Sequence, residues 1–266
     1  MRARTTGLIS VIASLLVTAA WPASAPVAAD PAIRAYSAVY QIRYKGRTVG
    51  TSEFSVRYDT SRGLYQFSSS SALRGLLKFF VAPRAIVERS EFVSEAGRIT
   101  PLEFWYEDGS RRGNDNFHIL FDWDNGLTIA ETEEGRKEFP LPPGALDRGT
   151  MQVQLMLDMA RPGPLGSYTL ADEDGLRTYD YRPDADRLLE TPLGSLATQA
   201  FIQERAGSSR RLLLWAAPEL HYLPARIEQQ RDGETRTVLL LESVEWLNPA
   251  PEQAAGRSVP LGGWTR

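Results

Sequence analysis

Alternation constrains this chain more than any other feature. From Tyr36 onward, apolar and polar residues exchange places at every second position, and turn-forming residues break the pattern about every ten residues. Tyr36, Ala38, Tyr40, Ile42 and Tyr44 share one side of the first run. Ser37, Gln41 and Arg43 occupy the other, with Val39 the exception. A period of two sends neighbouring side chains to opposite faces, so this run predicts a half-buried strand that ends at Lys45-Gly46. Phe54, Val56 and Tyr58 repeat the pattern before a Ser61-Arg62-Gly63 turn. Further strands are predicted over 64–71, 85–94, 99–106, 117–123 and 127–131, separated by Glu95-Ala96-Gly97, Asp108-Gly109 and Asn125-Gly126. They resume over 167–170, 176–181, 188–190, 196–204, 211–215, 225–231 and 235–246, with Asp232-Gly233 as another hairpin turn. Short strands at regular spacing predict an antiparallel sandwich or barrel.

One segment breaks the period. Asp147 or Thr150 can cap a helix over 151–161, and Pro162-Gly163 stops it. Gln154, Asp158 and Arg161 fall on one side of this helix, and Met151, Leu155, Met156 and Met159 on the other. An antiparallel sheet with one apolar face needs a cover, so the Met151, Leu155 and Met159 side is expected to pack on the sheet.

The first 29 residues read as an address. Arg2 and Arg4 precede an apolar run from Leu8 to Ala20 that is too short for a span of about 20 residues. Cleavage is expected after Val27-Ala28-Ala29, because a cut after Ala25 would leave Pro26 in the scissile bond. No transmembrane span is expected beyond the leader. Residues 30–247 are expected to form a single β-rich domain. The tail 248–266, with Pro249, Pro251 and Pro260 and little periodicity, is expected to be disordered.

Composition removes several chemistries. The chain has no cysteine, which excludes disulfides, thiolate metal sites and cysteine nucleophiles, and its two histidines cannot supply a three-histidine site. Thirty basic residues against 33 acidic ones argue against a broad nucleic-acid-binding surface. No Gly-x-Ser-x-Gly elbow, phosphate-cradling glycine loop or His-Glu-x-x-His is present. His118 falls on the polar side of its run, away from Phe117, Ile119 and Phe121, as a solvent-facing strand residue would. His221 lies in a loop with no visible orienting partner. Asp122-Trp123-Asp124-Asn125-Gly126 resembles the start of a calcium loop, but its glycine comes one position early and a hairpin turn explains it better. Glu103 with Glu107, and Glu131 with Glu133 and Glu134, are expected on solvated strand edges and turns. The chain is therefore not expected to be an enzyme, and no cofactor or metal is expected.

Two apolar features stand out. Leu73, Leu76, Leu77 and Phe80 recur at helical spacing beside Arg74 and Lys78, as in a short helix that closes a barrel end or a lid over an apolar pocket. Outside the leader, the methionines are Met151, Met156 and Met159, all within one helix. Flexible, polarizable methionine suits core filling and also suits the adaptable wall of a ligand cavity.

Four segments resemble a bacterial envelope family, domain of unknown function 3108. They are Tyr40-x-Ile42-x-Tyr44-x-Gly46-x-x-Val49-Gly50, then Thr100-Pro101-Leu102, then Leu146-Asp147 leading into Gln152-Val153-Gln154-Leu155, and finally Leu214-Trp215-x-Ala217-Pro218-x-Leu220-x-x-Leu223-Pro224-x-Arg226-Ile227. The resemblance implies a β-rich exported protein, in the periplasm once its leader is cut, and it brings no established activity. The last segment is also similar to a hairpin of the outer-membrane lipoprotein carrier superfamily, whose incomplete barrels hold acyl chains on a concave face. There Pro224 would lead a strand and Trp215 would sit near the barrel rim.

The expected fold is thus mainly β: an antiparallel sheet forming an incomplete or distorted barrel, with one principal helix on its concave side. The expected function is a carrier or sensor of a lipid or other apolar molecule. Leu73, Leu76, Leu77, Phe80, Met151, Leu155, Met159 and Trp215 are its candidate ligand-binding residues. The alternative is an adaptor that binds another envelope protein and has no cavity. An open cavity lined by aliphatic side chains would favour the first, and a core at normal packing density the second.

Overall fold

The computed structural model describes residues 33–75, 78, 82–113 and 115–247. The leader at 1–29, the tail at 248–266 and the candidate residues Leu76, Leu77 and Phe80 lie outside the described residues.

Alternation becomes strands almost wherever it occurs. β1 (Tyr36–Tyr44), β2 (Arg47–Asp59), β3 (Leu64–Leu73), β4 (Ile86–Glu95), β5 (Arg98–Glu107), β6 (Phe117–Asp122), β7 (Leu127–Thr132) and β8 (Gly135–Pro140) precede the helix α1 (Arg148–Met159). β9 (Ser167–Asp172), β10 (Gly175–Thr191), β11 (Gly194–Glu204), β12 (Arg210–Ala217), β13 (Leu223–Arg231) and β14 (Glu234–Trp246) follow it. In β1 every second residue from Tyr36 to Ile42 is buried, as the period of two requires. Lys45-Gly46 and Asp232-Gly233 both turn with positive φ at each residue, the geometry that matches strand twist in a two-residue hairpin. At the β6–β7 turn only Gly126 is left-handed, and the Asp122 carboxylate accepts from the Asn125 amide (3.0 Å).

Two strands differ from the sequence expectation. β8 was not anticipated, because Gly135-Arg136-Lys137-Glu138 carries no apolar alternation. It is an exposed edge strand held by β7 alone, and charge is the usual protection for such an edge. The runs 176–181 and 188–190 are one strand, β10, with a register shift between Asp184 and Arg187. Pro183 lies where β10 has left β9 and pairs only with β11, a position that tolerates a missing N–H.

All neighbours in the sheet are antiparallel, in the order β8-β7-β6-β5-β4-β3-β2-β1-β14-β13-β12-β11-β10-β9. Two meanders are therefore stitched together by β1 and β14 at the middle, and the barrel does not close. The connection from β8 to β9 passes between the two edges. Its Leu146 makes a parallel bridge to Leu170 of β9, with Leu146 N donating to Thr169 O (2.9 Å) and Ala171 N to Leu146 O (2.8 Å). Leu141 and Ala145 from the same connection pack with Phe104, Ile119 and Phe121. α1 then lies on the concave face over Phe54, Val56, Phe67 and Phe92, the centre of the main core. Among the described residues no helix is long and apolar enough to cross a membrane.

Candidate functional site

α1 starts at a buried cap. Asp147 Oδ1 accepts from the amides of Gly149 and Thr150 (2.9 Å each) and from Ser90 Oγ (2.6 Å), while Thr150 Oγ1 accepts from Asp147 N (2.9 Å). These contacts satisfy amides that a helix N-terminus leaves without intrahelical partners. Ser90 belongs to β4, so the cap also sets where the helix meets the sheet. Burial holds the Asp147 carboxyl above its ordinary range, against the opposing pull of these hydrogen bonds.

The side of α1 that carries Gln154, Asp158 and Arg161 is a contact face. Gln154 is buried, with Oε1 accepting from Ile99 N (2.9 Å) and Nε2 donating to Gly97 O (3.2 Å). Arg161 Nη2 donates to Ala96 O (2.9 Å), and Asp158 accepts from Tyr168 Oη (2.9 Å). Gln154 and Arg161 thus bond the backbone of the β4–β5 turn where it folds against the helix, and Asp158 ties the helix to β9.

On its other flank α1 walls a cavity of about 770 Å³. Met151, Leu155, Met156 and Met159 line it from the helix. Leu212, Leu214, Ile227 and Leu239 line it from β12, β13 and β14. The register explains the grouping: Leu214 lies opposite Ile227, and Ile227 opposite Leu239, so their side chains share one face. Tyr181 and Gln203 close part of the wall, with Gln203 Nε2 donating to Tyr181 Oη (2.7 Å) and burial raising the Tyr181 phenol.

Charge is distributed unevenly around this cavity. At one end Arg148 reaches Asp172 (2.8 Å), Glu88 (3.5 Å) and Glu173 (3.7 Å), and its guanidinium lies over the rings of Tyr106 and Phe117. Arg177 pairs with Asp172 and Asp174. Burial raises the Glu88 carboxyl, and Arg148 offsets part of that rise. At the other end Arg205, Arg210, Arg211, Arg231 and Arg236 line the mouth, and Arg211 pairs with Glu204 (2.9 Å). Arg231 and Arg236 have carboxylates nearby in Asp232 (3.6 Å) and Glu234 (3.1 Å).

The sequence candidates separate. Met151, Leu155 and Met159 meet at the cavity wall. Leu73 lies on the same sheet face, opposite Gly50, yet does not line this cavity. Trp215 is placed on the opposite face from Leu214, which corrects the expectation of a rim position. It is 2% exposed, with the guanidinium groups of Arg187 and Arg226 about 5.6 and 5.7 Å from its ring. A second cavity of about 130 Å³ lies behind α1, between Val153 and Leu157 and the rings of Tyr36, Tyr222 and Trp246. His221 borders it and meets Trp246 edge-on at 5.0 Å, and burial lowers its imidazole. His118 faces outward as alternation predicts, stacked on Trp105 with Glu103 at 3.2 Å. The arginine mouth was missed by sequence reading. Its signal lies in Arg210-x-Leu212-x-Leu214 and Ile227-x-Gln229-x-Arg231, two strand faces that run from apolar to basic.

A family model described as a protein of unknown function, DUF3108, matches residues 39–240. No curated protein matches the chain. A β-barrel-like protein of domain of unknown function DUF1849 from Brucella abortus is similar in structure, with TM-score 0.51 and 9% identity over 81% of this chain and 99% of that one. The Pseudomonas aeruginosa MucA/MucB complex matches at TM-score 0.35 and 12% identity, over 82% of this chain and 54% of that one. The first of these likenesses supports a β-barrel-like fold.

Proposed function

The chain belongs to the DUF3108 family of proteins of unknown function, and from that premise we propose that it is an exported, non-catalytic binding protein for a lipid or other apolar molecule. One observation carries the reading: the sheet stays open around α1, and a cavity of about 770 Å³ remains between them, with methionine and aliphatic side chains along part of its wall and charged residues along the rest. That volume lies within the roughly 300–1,000 Å³ of small-molecule sites. Three of its wall residues are flexible (Met151, Met156 and Met159), which suits a ligand of variable shape. The carboxylates at its other end, Glu88, Asp172 and Glu173, are all engaged by Arg148 or Arg177, an arrangement suited to holding structure together.

Titration with a fluorescent acyl probe tests the reading, and saturable binding is expected. Met151 and Leu212 are only partly buried and both face the cavity, so Met151→Trp with Leu212→Trp should fill it and abolish binding without unfolding the sheet. Wild-type protein that binds no acyl probe overturns the proposal. Export is tested separately. N-terminal sequencing of the mature protein should read from Asp30, and an intact Met1 would sink that part.

A second reading, an adaptor for another envelope protein, draws on the β10–β11 hairpin. There β10 beyond Pro183 has no partner on its outer side among the described residues, and Leu188 and Leu193 are 69% and 43% exposed. Co-purification that depends on Leu188 while no acyl probe binds would favour it.

A further inference from the structure

We infer that the cavity takes an amphiphile with an anionic headgroup, its carboxylate or phosphate held by Arg210 and Arg231 at the mouth and its chain lying against Leu212, Leu214 and Ile227; the inference rests on the binding function proposed above. In the β12–β13 ladder Arg210 lies directly opposite Arg231, and Leu212 opposite Gln229. Residues directly opposite on antiparallel strands bring their side chains together on one face, and like charges placed so are destabilising. Arg205 and Arg236 add two more guanidinium groups to the same mouth. Among the described residues, neither Arg205 nor Arg210 has a carboxylate within salt-bridge distance. Arg231 has the exposed Asp232 at 3.6 Å, and Glu234, opposite Arg231 in the β13–β14 ladder, is held by Arg236 (3.1 Å).

The opposite end of the cavity differs. There Arg148 and Arg177 are matched by Glu88, Asp172, Glu173 and Asp174. At the mouth Glu204, Asp232 and Glu234 answer Arg211, Arg231 and Arg236, which leaves Arg205 and Arg210 as the excess. Going inward from the mouth, β12 reads Arg210, Leu212, Leu214 on this face and β13 reads Arg231, Gln229, Ile227. A strand advances about 3.3 Å per residue, so from Arg210 to Leu214 the wall changes from guanidinium to aliphatic over roughly 13 Å. A headgroup that bridges Arg210 and Arg231 therefore points its chain down an apolar wall toward Met151 and Leu155. Guanidinium forks donate in pairs to carboxylate and phosphate oxygens, which gives the mouth its preference for an anion.

Three probes of equal chain length test this: a sixteen-carbon fatty acid, the corresponding alkyl phosphate and the corresponding alcohol, each displacing a fluorescent acyl probe. The acid, the phosphate or both should bind at least roughly ten-fold more tightly than the alcohol, since hydrogen bonds to charged groups are stronger than neutral ones. Which of the two anions leads names the headgroup. Arg210→Gln with Arg231→Gln should bring the anionic probes down to the affinity of the alcohol and leave the alcohol unchanged. Both arginines are exposed, and removing the like-charge pair should leave the melting temperature equal or higher, which reports that the variant is folded. Equal affinity for acid, phosphate and alcohol in the wild type overturns the inference while the binding function stands. So does an anion preference that survives the double substitution. Inorganic phosphate or acetate competing as well as the long-chain probes overturns it too, since the mouth would then be an anion site without a chain. No binding by any of the three defeats the inference and the binding function together.

Discussion

Gly149→Val should destabilise the protein by at least about 3 kcal/mol, at the upper end of the usual cost of overpacking. Gly149 is the second residue of α1 and is buried where the helix touches the sheet. A Cβ at this position would fall well inside van der Waals contact of Ser90 Oγ and Phe67 Cδ1, and 3.0 Å from Phe67 Cε1. Neither neighbour is free to retreat. Phe67 is 1% exposed and packs against Phe54 with ring centroids 6.0 Å apart, and Ser90 Oγ donates to Asp147. The helix would have to lift from the sheet, and the Asp147–Ser90 bond would break as it did. Gly149→Ala should show the same sign with a smaller effect. A valine variant that melts within a degree or two of wild type would mean that α1 does not seat on β3 and β4 as described.

Period-two patterning made most of this sheet legible, because each strand has one buried and one wetter face and a single residue's slip would invert them. The positions β1 buries, Tyr36, Ala38, Tyr40 and Ile42, were all readable as such. Pairing between β1 and β14 was not readable, since both ends of the described chain meet at the middle of the sheet and nothing local marks that meeting. β8 was missed for the opposite reason: an edge strand needs no apolar face, so its residues look like a charged turn. In α1, helical spacing separated Met151, Leu155 and Met159 from Gln154, Asp158 and Arg161. Spacing alone could not reveal that the polar side would meet the backbone of the β4–β5 turn in place of water.

The candidate site was legible on the helix and not on the sheet. A methionine-bearing helix face can be read within one segment. The facing wall comes from three strands whose relation depends on register. Trp215 shows the difference. Its large ring suggested a pocket rim, but it stands one residue from Leu214, and one residue is the whole distance between the two faces of a strand. Had register been available, Leu212 and Leu214 would have been chosen in its place, and Arg210 would have been seen at the head of their row.

Asp147→Ala should cost about 3 kcal/mol, more than loss of an exposed N-cap, because a missing cap and orphaned buried donors act together. The carboxylate is fully buried and Oδ1 alone receives Ser90 Oγ, Gly149 N and Thr150 N. Asp147→Asn keeps a side-chain oxygen for these donors and should cost less. The two substitutions should also differ from wild type in pH dependence. Burial places the native carboxyl above its unfolded value of 3.8, so between the two values the native state holds the proton more tightly than the unfolded chain does. This site's contribution is therefore fully present below the unfolded value, declines as pH rises through the window up to the native value, and is constant beyond it. Asparagine carries no such proton. Melting curves of wild type and Asp147→Asn measured from acid to neutral pH should converge, the variant gaining on wild type as pH rises. A difference that stays constant across that range would mean that the hydrogen bonds to Oδ1 cancel burial, and one that widens against asparagine that they outweigh it; in either case Asp147 caps the helix as an ionised carboxylate at neutral pH.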